Sequence, residues 1–114
     1  MKQAMYALGR LKTGTMNKTE AAYDQYLAGL QHDGKILWRE FEAVKLRLAD
    51  NTFYTPDFAV LSADGVLEFH EVKGYWQDDA RVKIKVAAAR FPARFVAIKA
   101  RTKKEGGGWE VEAF

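Results

Sequence analysis

Residues 54–74, YTPDFAVLSADGVLEFHEVKG, decide the fold of this chain. Two β-rich runs, Phe58 to Leu61 and Val66 to Val72, flank the sequence Ser62-Ala63-Asp64-Gly65, which is rich in residues favoured in turns. This arrangement predicts two antiparallel strands that turn about Asp64. The predicted positions of the site residues depend on this hairpin.

Two carboxylates, Asp57 and Glu71, both lie seven residues from Asp64, the centre of the predicted turn. In a hairpin with that centre they face each other across the two strands. Because side chains alternate between the faces of a strand, Lys73 shares the face of Glu71 and His70 points to the other. We therefore expect Asp57, Glu71 and Lys73 to converge, and His70 to be a hydrogen-bonded structural residue.

Paired carboxylates with a nearby ammonium suit metal-assisted cleavage of a phosphodiester. The chain contains no cysteine and two histidines, so thiolate zinc sites are excluded and oxygen ligands for Mg²⁺ or Mn²⁺ are favoured. A hard cation between Asp57 and Glu71 would activate a water, and the Val72 backbone carbonyl would add a ligand. Lys73 would either orient that water or offset charge developing on the phosphate, and the sequence leaves both roles open.

Outside this segment, the pattern predicts alternating helices and strands in one α/β domain. The predicted elements are a helix over residues 19–32 with Thr19 as N-cap, a half-exposed strand through Val44, Leu46 and Leu48 that ends at an Asp50-Asn51 turn, the two hairpin strands, a helix over residues 78–90, and strands over Arg94 to Ala100 and Trp109 to Phe114. The predicted order is α-β-β-β-α-β-β. Predicted core residues are Trp38, Phe41, Phe53 and Phe58.

The charges are unevenly distributed, although the net charge is only +3. Residues 1–18 carry four cations and no acid and are predicted to form a flexible basic arm, residues 19–72 carry ten acids against four cations, and residues 73–104 carry ten cations against two acids. Basic flanks around an acidic middle favour a polyanionic partner. The candidate DNA-binding residues are Lys18, Tyr75, Trp76, Arg81, Lys83 and Lys85. Solvated helix faces and core-packed aromatics are the alternative.

The chain has no apolar run near the roughly 20 residues that a membrane span needs, and its first 18 residues lack the apolar region of a secretory signal. We therefore expect no membrane association and a cytoplasmic location.

Pro56-Asp57 together with Glu71-Val72-Lys73 resembles the two halves of the PD-(D/E)xK nuclease motif. The resemblance extends over residues 19–100, because the predicted element order is similar to the αβββαβ core of that superfamily. It implies a restriction-endonuclease-like domain over residues 19–114, with a central mixed sheet flanked by helices. It also implies two metal ions, with Glu20, at a position where many members place a glutamate on their first helix, helping to hold the second. The alternative for Glu20 is a carboxylate that complements the helix dipole.

Within this superfamily the chain resembles small phage-encoded endonucleases, including junction-resolving enzymes, and transposon-end endonucleases. The resemblance implies a Mg²⁺-dependent or Mn²⁺-dependent DNA endonuclease, possible selectivity for branched DNA, a homodimer, and phage or recombination proteins as partners. The host would be a phage-infected or prophage-bearing bacterial cell. The alternative function is a DNA-binding nuclease-fold subunit that is active only within a larger recombination, replication or packaging assembly.

Overall fold

The computed structural model describes residues 14–74 and 78–114. These residues form the helices α1 (Lys18–His32) and α2 (Asp78–Arg90) and the strands β1 (Ile36–Phe41), β2 (Leu46–Ala49), β3 (Thr52–Tyr54), β4 (Phe58–Ser62), β5 (Leu67–Lys73), β6 (Arg94–Ala100) and β7 (Trp109–Ala113). One turn of 3-10 helix, Lys103–Glu105, precedes β7. The predicted α/β class is confirmed.

Five strands form a mixed sheet in the order β1-β4-β5-β6-β7, while β2 and β3 form a separate two-stranded hairpin. Only β5 and β6 are parallel within the larger sheet, because α2 connects them as a crossover. The predicted antiparallel hairpin of β4 and β5 is confirmed. Gly65 lies at its turn with a φ of 84°, a conformation that glycine adopts without a steric penalty.

Each face of the sheet packs against one helix. On the α1 face, Tyr23 and Leu27 contact a cluster that includes Phe58 and Ile98. On the α2 face, the buried members are Leu48, Tyr54, Ala59, Phe69, Ile84, Ala87 and Phe95. Successive residues of β4, such as Phe58 and Ala59, therefore enter opposite clusters, as expected for a strand buried on both faces.

Strands β1 and β3 are absent from the predicted order. In β1 the partner of Ile36 is Ser62 and the partner of Trp38 is Leu61, so the register shifts between Ile36 and Trp38. This irregularity disrupts the alternation of apolar and polar side chains that the prediction relies on. β3 contains three residues, which is too few to produce a clear alternating pattern.

Two predicted core residues are wrong. Trp38 is 38% exposed on the edge strand β1, and Phe53 is 39% exposed on the hairpin β2–β3. β1 has a neighbouring strand on one side only, and the β2–β3 hairpin consists of two strands, so both side chains are incompletely covered. Phe58 is fully buried, and Phe41 packs beside it with ring centres 5.3 Å apart.

The N-cap of α1 is Asn17 and not the predicted Thr19. Asn17 Oδ1 accepts from the Glu20 amide over 2.8 Å, and Glu20 Oε1 accepts from the Asn17 amide over 2.9 Å. This reciprocal capping box satisfies amides that otherwise lack a helical partner. Lys18 is therefore helical and not part of the predicted basic arm, of which residues 1–13 lie outside the described residues.

Neither described helix has the length and apolar character needed to cross a lipid bilayer.

Candidate functional site

The β4–β5 register brings Asp57 and Glu71 together. Phe58 pairs with His70 as the last pair of the ladder, so Asp57 and Glu71 occupy the next opposed positions. Asp57 Oδ2 accepts a hydrogen bond of 2.8 Å from the Val72 amide, which fixes the carboxylate against β5. The predicted opposition of the two carboxylates across the hairpin is confirmed.

Glu71 is held at both carboxylate oxygens. The Tyr54 hydroxyl donates to Oε1 over 2.7 Å, and the Lys73 ammonium lies 3.2 Å from Oε2. Glu71 and Tyr54 are each 8% exposed, whereas the Lys73 side chain is 27% exposed. The predicted convergence of Asp57, Glu71 and Lys73 is therefore confirmed as geometry.

Burial raises the pKa of both carboxyl groups and so disfavours their ionised forms. Burial, reinforced by the charge of Glu71, raises the pKa of Asp57 to about 8, against the lowering effect of the Val72 amide. Burial also raises the pKa of Glu71, although the Lys73 charge and the Tyr54 hydrogen bond oppose this effect. The pKa of Tyr54 is raised by burial and by Glu71, so its hydroxyl stays protonated and donates.

The donor set fits a hard divalent cation. The buried carboxylate of Glu71 faces the half-buried carboxylate of Asp57, and Lys73 contacts Glu71. A further positive charge would stabilise the ionised forms of both carboxylates. Asp57 Oδ1 accepts no hydrogen bond from the described residues, so it is available as a ligand. Asp57 and Glu71 are the residues that would hold Mg²⁺ or Mn²⁺.

We compared the chain with family models, with curated proteins and with solved structures. None of them matches. The role of the site therefore rests on the geometry and chemistry of its own residues.

Glu20 is engaged in the α1 capping box, yet its charge also contributes to the raised pKa of Asp57. Among the described residues, no group of three His, Asp or Glu side chains gathers around a common point. Glu20 thus lies close enough to Asp57 for an electrostatic effect without completing a three-carboxylate cluster. Its metal-binding role stays a prediction.

The Val72 amide is the backbone group that the structure places in the site, through its bond to Asp57. The predicted role of the Val72 carbonyl as a metal ligand stays a prediction. The Val72 side chain packs into the α1-face cluster, so it points away from Glu71 as expected.

A cavity of about 290 Å³ adjoins Lys73 on the α2 face of the sheet. Its charged lining includes Arg81, Lys99, Glu110 and Glu112. Lys99 pairs with Lys73 across the parallel strands, and Arg81 forms an ion pair with Glu112. Lys99 is a basic neighbour of the site that the sequence interpretation missed, because the parallel register of β5 and β6 could not be predicted.

The predicted DNA-binding residues are spread over several parts of the molecule. Lys18 is exposed at the start of α1, and Lys85 is exposed on α2 beside a cavity that Phe114 also lines. Lys83 is half-buried on α2. Tyr75 and Trp76 lie outside the described residues, and the DNA-binding role of all these residues stays a prediction.

His70 lies on the α1 face, as predicted, with both ring nitrogens satisfied. Nδ1 lies 2.6 Å from the Tyr23 hydroxyl and Nε2 lies 2.9 Å from Glu68, which also binds Arg94 over 2.7 Å. Burial lowers the pKa of His70, so the neutral ring is favoured. His70 is therefore a structural residue and does not join the Asp57–Glu71 pair.

Tyr54 is a second neighbour of the site, after Lys99, that the sequence interpretation missed. It lies two residues before Pro56 but reaches Glu71, seventeen residues later in the chain. A buried tyrosine generally needs a hydrogen-bond partner, and this is the one signal in the sequence that points to such a contact.

Proposed function

We propose that this chain is a metal-dependent DNA endonuclease with a restriction-endonuclease-like fold of the PD-(D/E)xK type. The observation that carries the proposal is the pair formed by the half-buried Asp57 and the buried Glu71, opposed across the β4–β5 hairpin with Lys73 against Glu71. The element order around this pair, with a helix before the sheet and a crossover helix after β5, supports the same proposal.

Each residue of the site has a defined task in this proposal. Asp57 and Glu71 hold Mg²⁺ or Mn²⁺ through carboxylate oxygens, while the Val72 amide and the Tyr54 hydroxyl fix their orientation. When bound, the cation supplies Lewis-acid activation of the phosphodiester and of a water. Lys73, whose side chain is 27% exposed, offers its ammonium to the phosphate or to the attacking water.

Burial explains why such a site would be effective. Charges in a partly desolvated pocket interact more strongly than charges in water. The positively charged Lys73 and Lys99 lie side by side across the parallel strands and favour the approach of a phosphate. Selectivity for DNA structure, such as a branch or a junction, is part of the proposal.

The test is cleavage by the purified protein of a four-way junction, a flap, a duplex and a single strand of related sequence. Mg²⁺, Mn²⁺ and EDTA are compared for each DNA. We expect cleavage with either cation, none in EDTA, and the fastest cleavage on a branched DNA. Binding without nicking on every DNA would favour the alternative of a subunit that acts only within a larger assembly.

We also propose that the protein acts as a homodimer, since one site cuts one strand and a double-strand product requires two. Light scattering with and without junction DNA tests this. A monomeric mass in both conditions would contradict the dimer but leave single-strand nicking intact.

A further inference from the structure

The hairpin β2–β3 has an outer face that presents two cations and an aromatic ring. Arg47 of β2 pairs across the strands with Phe53 of β3, and the Lys45 ammonium lies 4.6 Å from the centre of the Phe53 ring. Phe53 is 39% exposed, and the side chain of Arg47 is 59% exposed. Positive charge and aromatic surface are thus both exposed to solvent on this face.

The inner face of the same hairpin is firmly attached to the domain. Leu48 and Tyr54 are buried in the α2-face cluster with Ile84, and the Arg90 guanidinium donates to the Leu48 carbonyl. Tyr54 also donates to Glu71. The hairpin is therefore held in a fixed position beside the candidate metal site through Tyr54 on its inner face.

Phe53 lies four residues before Asp57. Four residues span at most about 14 Å even when fully extended. One strand of DNA carries a phosphate per ~3.4 Å of helix axis, so this distance covers about four nucleotides. A DNA strand with a phosphodiester at Asp57 thus has its neighbouring nucleotides within reach of the hairpin.

We propose that Lys45, Arg47 and Phe53 form a surface that binds unpaired nucleotides of the DNA substrate. The two cations contact phosphates, and the Phe53 ring stacks on a base that is not held in a duplex. This inference rests on the proposed function, because it places the same DNA on the hairpin and at Asp57.

The chemistry of the three side chains matches this ligand. Cations that neutralise phosphates release condensed counterions, and aromatic rings stack on any unpaired base. Arg47 lies 2.7 Å from Asp50, whose side chain is 95% exposed. Such an exposed ion pair contributes little to the free energy of unfolding, so a phosphate can replace Asp50 as the partner of Arg47 at little cost. Branched and single-stranded DNA supply accessible bases, whereas an intact duplex keeps them stacked.

The test is DNA binding by fluorescence anisotropy in EDTA, where no cleavage occurs. The probes are a labelled four-way junction with an unpaired centre, a single strand and a duplex. Lys45→Ala and Arg47→Ala are expected to weaken binding to all three. Each is expected to lower the salt slope by about 0.9 for duplex DNA and by about 0.7 for the single strand. Phe53→Leu is expected to weaken junction and single-strand binding at least about fivefold and duplex binding less than about twofold.

Matched variants separate these effects from loss of structure. Lys35→Ala is the control for the loss of an exposed lysine. The Lys35 carbonyl accepts a hydrogen bond from the Ala63 amide, which places this residue at the turn end of β4 and away from Asp57. We expect this variant to bind DNA as the wild type does. Phe53→Tyr keeps an aromatic ring and should bind as the wild type does. Asp50→Asn removes a competing carboxylate and should tighten binding.

Two results would overturn the proposal in different ways. If the wild type binds and cleaves DNA while Phe53→Leu, Lys45→Ala and Arg47→Ala bind equally well, the assignment of the hairpin as a nucleotide-binding surface is wrong. The proposed function then stands. If the wild type neither binds nor cleaves any of the DNAs, the proposed function fails and the surface fails with it.

Discussion

The Tyr54 hydroxyl donates a 2.7 Å hydrogen bond to Glu71 Oε1, which connects the β2–β3 hairpin to the candidate metal site. Lys73 contacts the other oxygen of the same carboxylate. The orientation of Glu71 is thus set by one residue from its own strand and one from a separate hairpin. Such outer contacts orient metal ligands and tune their affinity.

Tyr54→Phe removes the hydroxyl and leaves the buried ring in place. We expect the affinity for Mn²⁺ to fall about tenfold or more, because Glu71 loses the donor that orients it. Isothermal titration with Mn²⁺ in the absence of DNA measures this directly. Tyr26→Phe, which alters an exposed tyrosine on α1, is the control and should bind Mn²⁺ normally. Equal affinities for all three proteins would show that Tyr54 has no positioning role.

The stability of the metal-free protein should depend on pH through Asp57. Burial raises the pKa of Asp57 from its ordinary 3.8 to about 8, so folding favours the protonated carboxyl. The stabilisation is therefore fully present below the ordinary pKa and is lost as the pH rises through about 8. Urea unfolding in EDTA from pH 5 to pH 9, compared with Asp57→Asn, measures this.

We expect the free energy of unfolding of the wild type, relative to that of Asp57→Asn, to decrease across that range in EDTA. Saturating Mg²⁺ should reduce the decrease, because the cation stabilises the ionised carboxylates. Parallel pH profiles for the two proteins in EDTA would contradict the raised pKa of Asp57.

Tyr23→Phe tests the structural role of His70 on the other face of the sheet. The change removes the hydroxyl that lies 2.6 Å from Nδ1 and leaves a buried nitrogen without its partner. We expect a loss of about 1–3 kcal/mol in the free energy of unfolding, with Mn²⁺ affinity unchanged. Denaturant unfolding and Mn²⁺ titration of the same sample check both parts. A weakened metal affinity at wild-type stability would mean that His70 serves the metal site.

Glu20→Gln separates the capping role of this residue from its predicted role as a ligand of a second ion. Glutamine also completes a capping box, so stability should stay within about 0.5 kcal/mol of the wild type. We expect the number of Mn²⁺ ions bound per chain to fall from two to one. An unchanged stoichiometry would assign Glu20 to the helix cap alone.

The β4–β5 hairpin was predictable because its signals are local. A turn-rich segment lies between two runs of strand-forming residues, and the equal spacing of Asp57 and Glu71 from Asp64 sets their opposition. Alternation along β5 then gives the shared face of Glu71 and Lys73. The helices were predictable for a similar reason, since their spacing and end signals lie within a few residues.

The remaining features depend on contacts between distant parts of the chain. Tyr54 reaches Glu71 through the packing of a separate hairpin, and Lys99 reaches Lys73 through a parallel crossover. The exposure of Phe53 follows from which face of β3 packs on α2, and a three-residue strand has too little pattern to reveal this.

The most direct test of the account is the rate of Mg²⁺-dependent cleavage of the preferred DNA by the wild type and by Asp57→Asn and Lys73→Ala, with circular dichroism melts to establish folding. We expect the wild type to cleave and both folded variants to lose cleavage while still binding DNA in EDTA. Cleavage at the wild-type rate by either folded variant would contradict the assignment of Asp57, Glu71 and Lys73 as the active site.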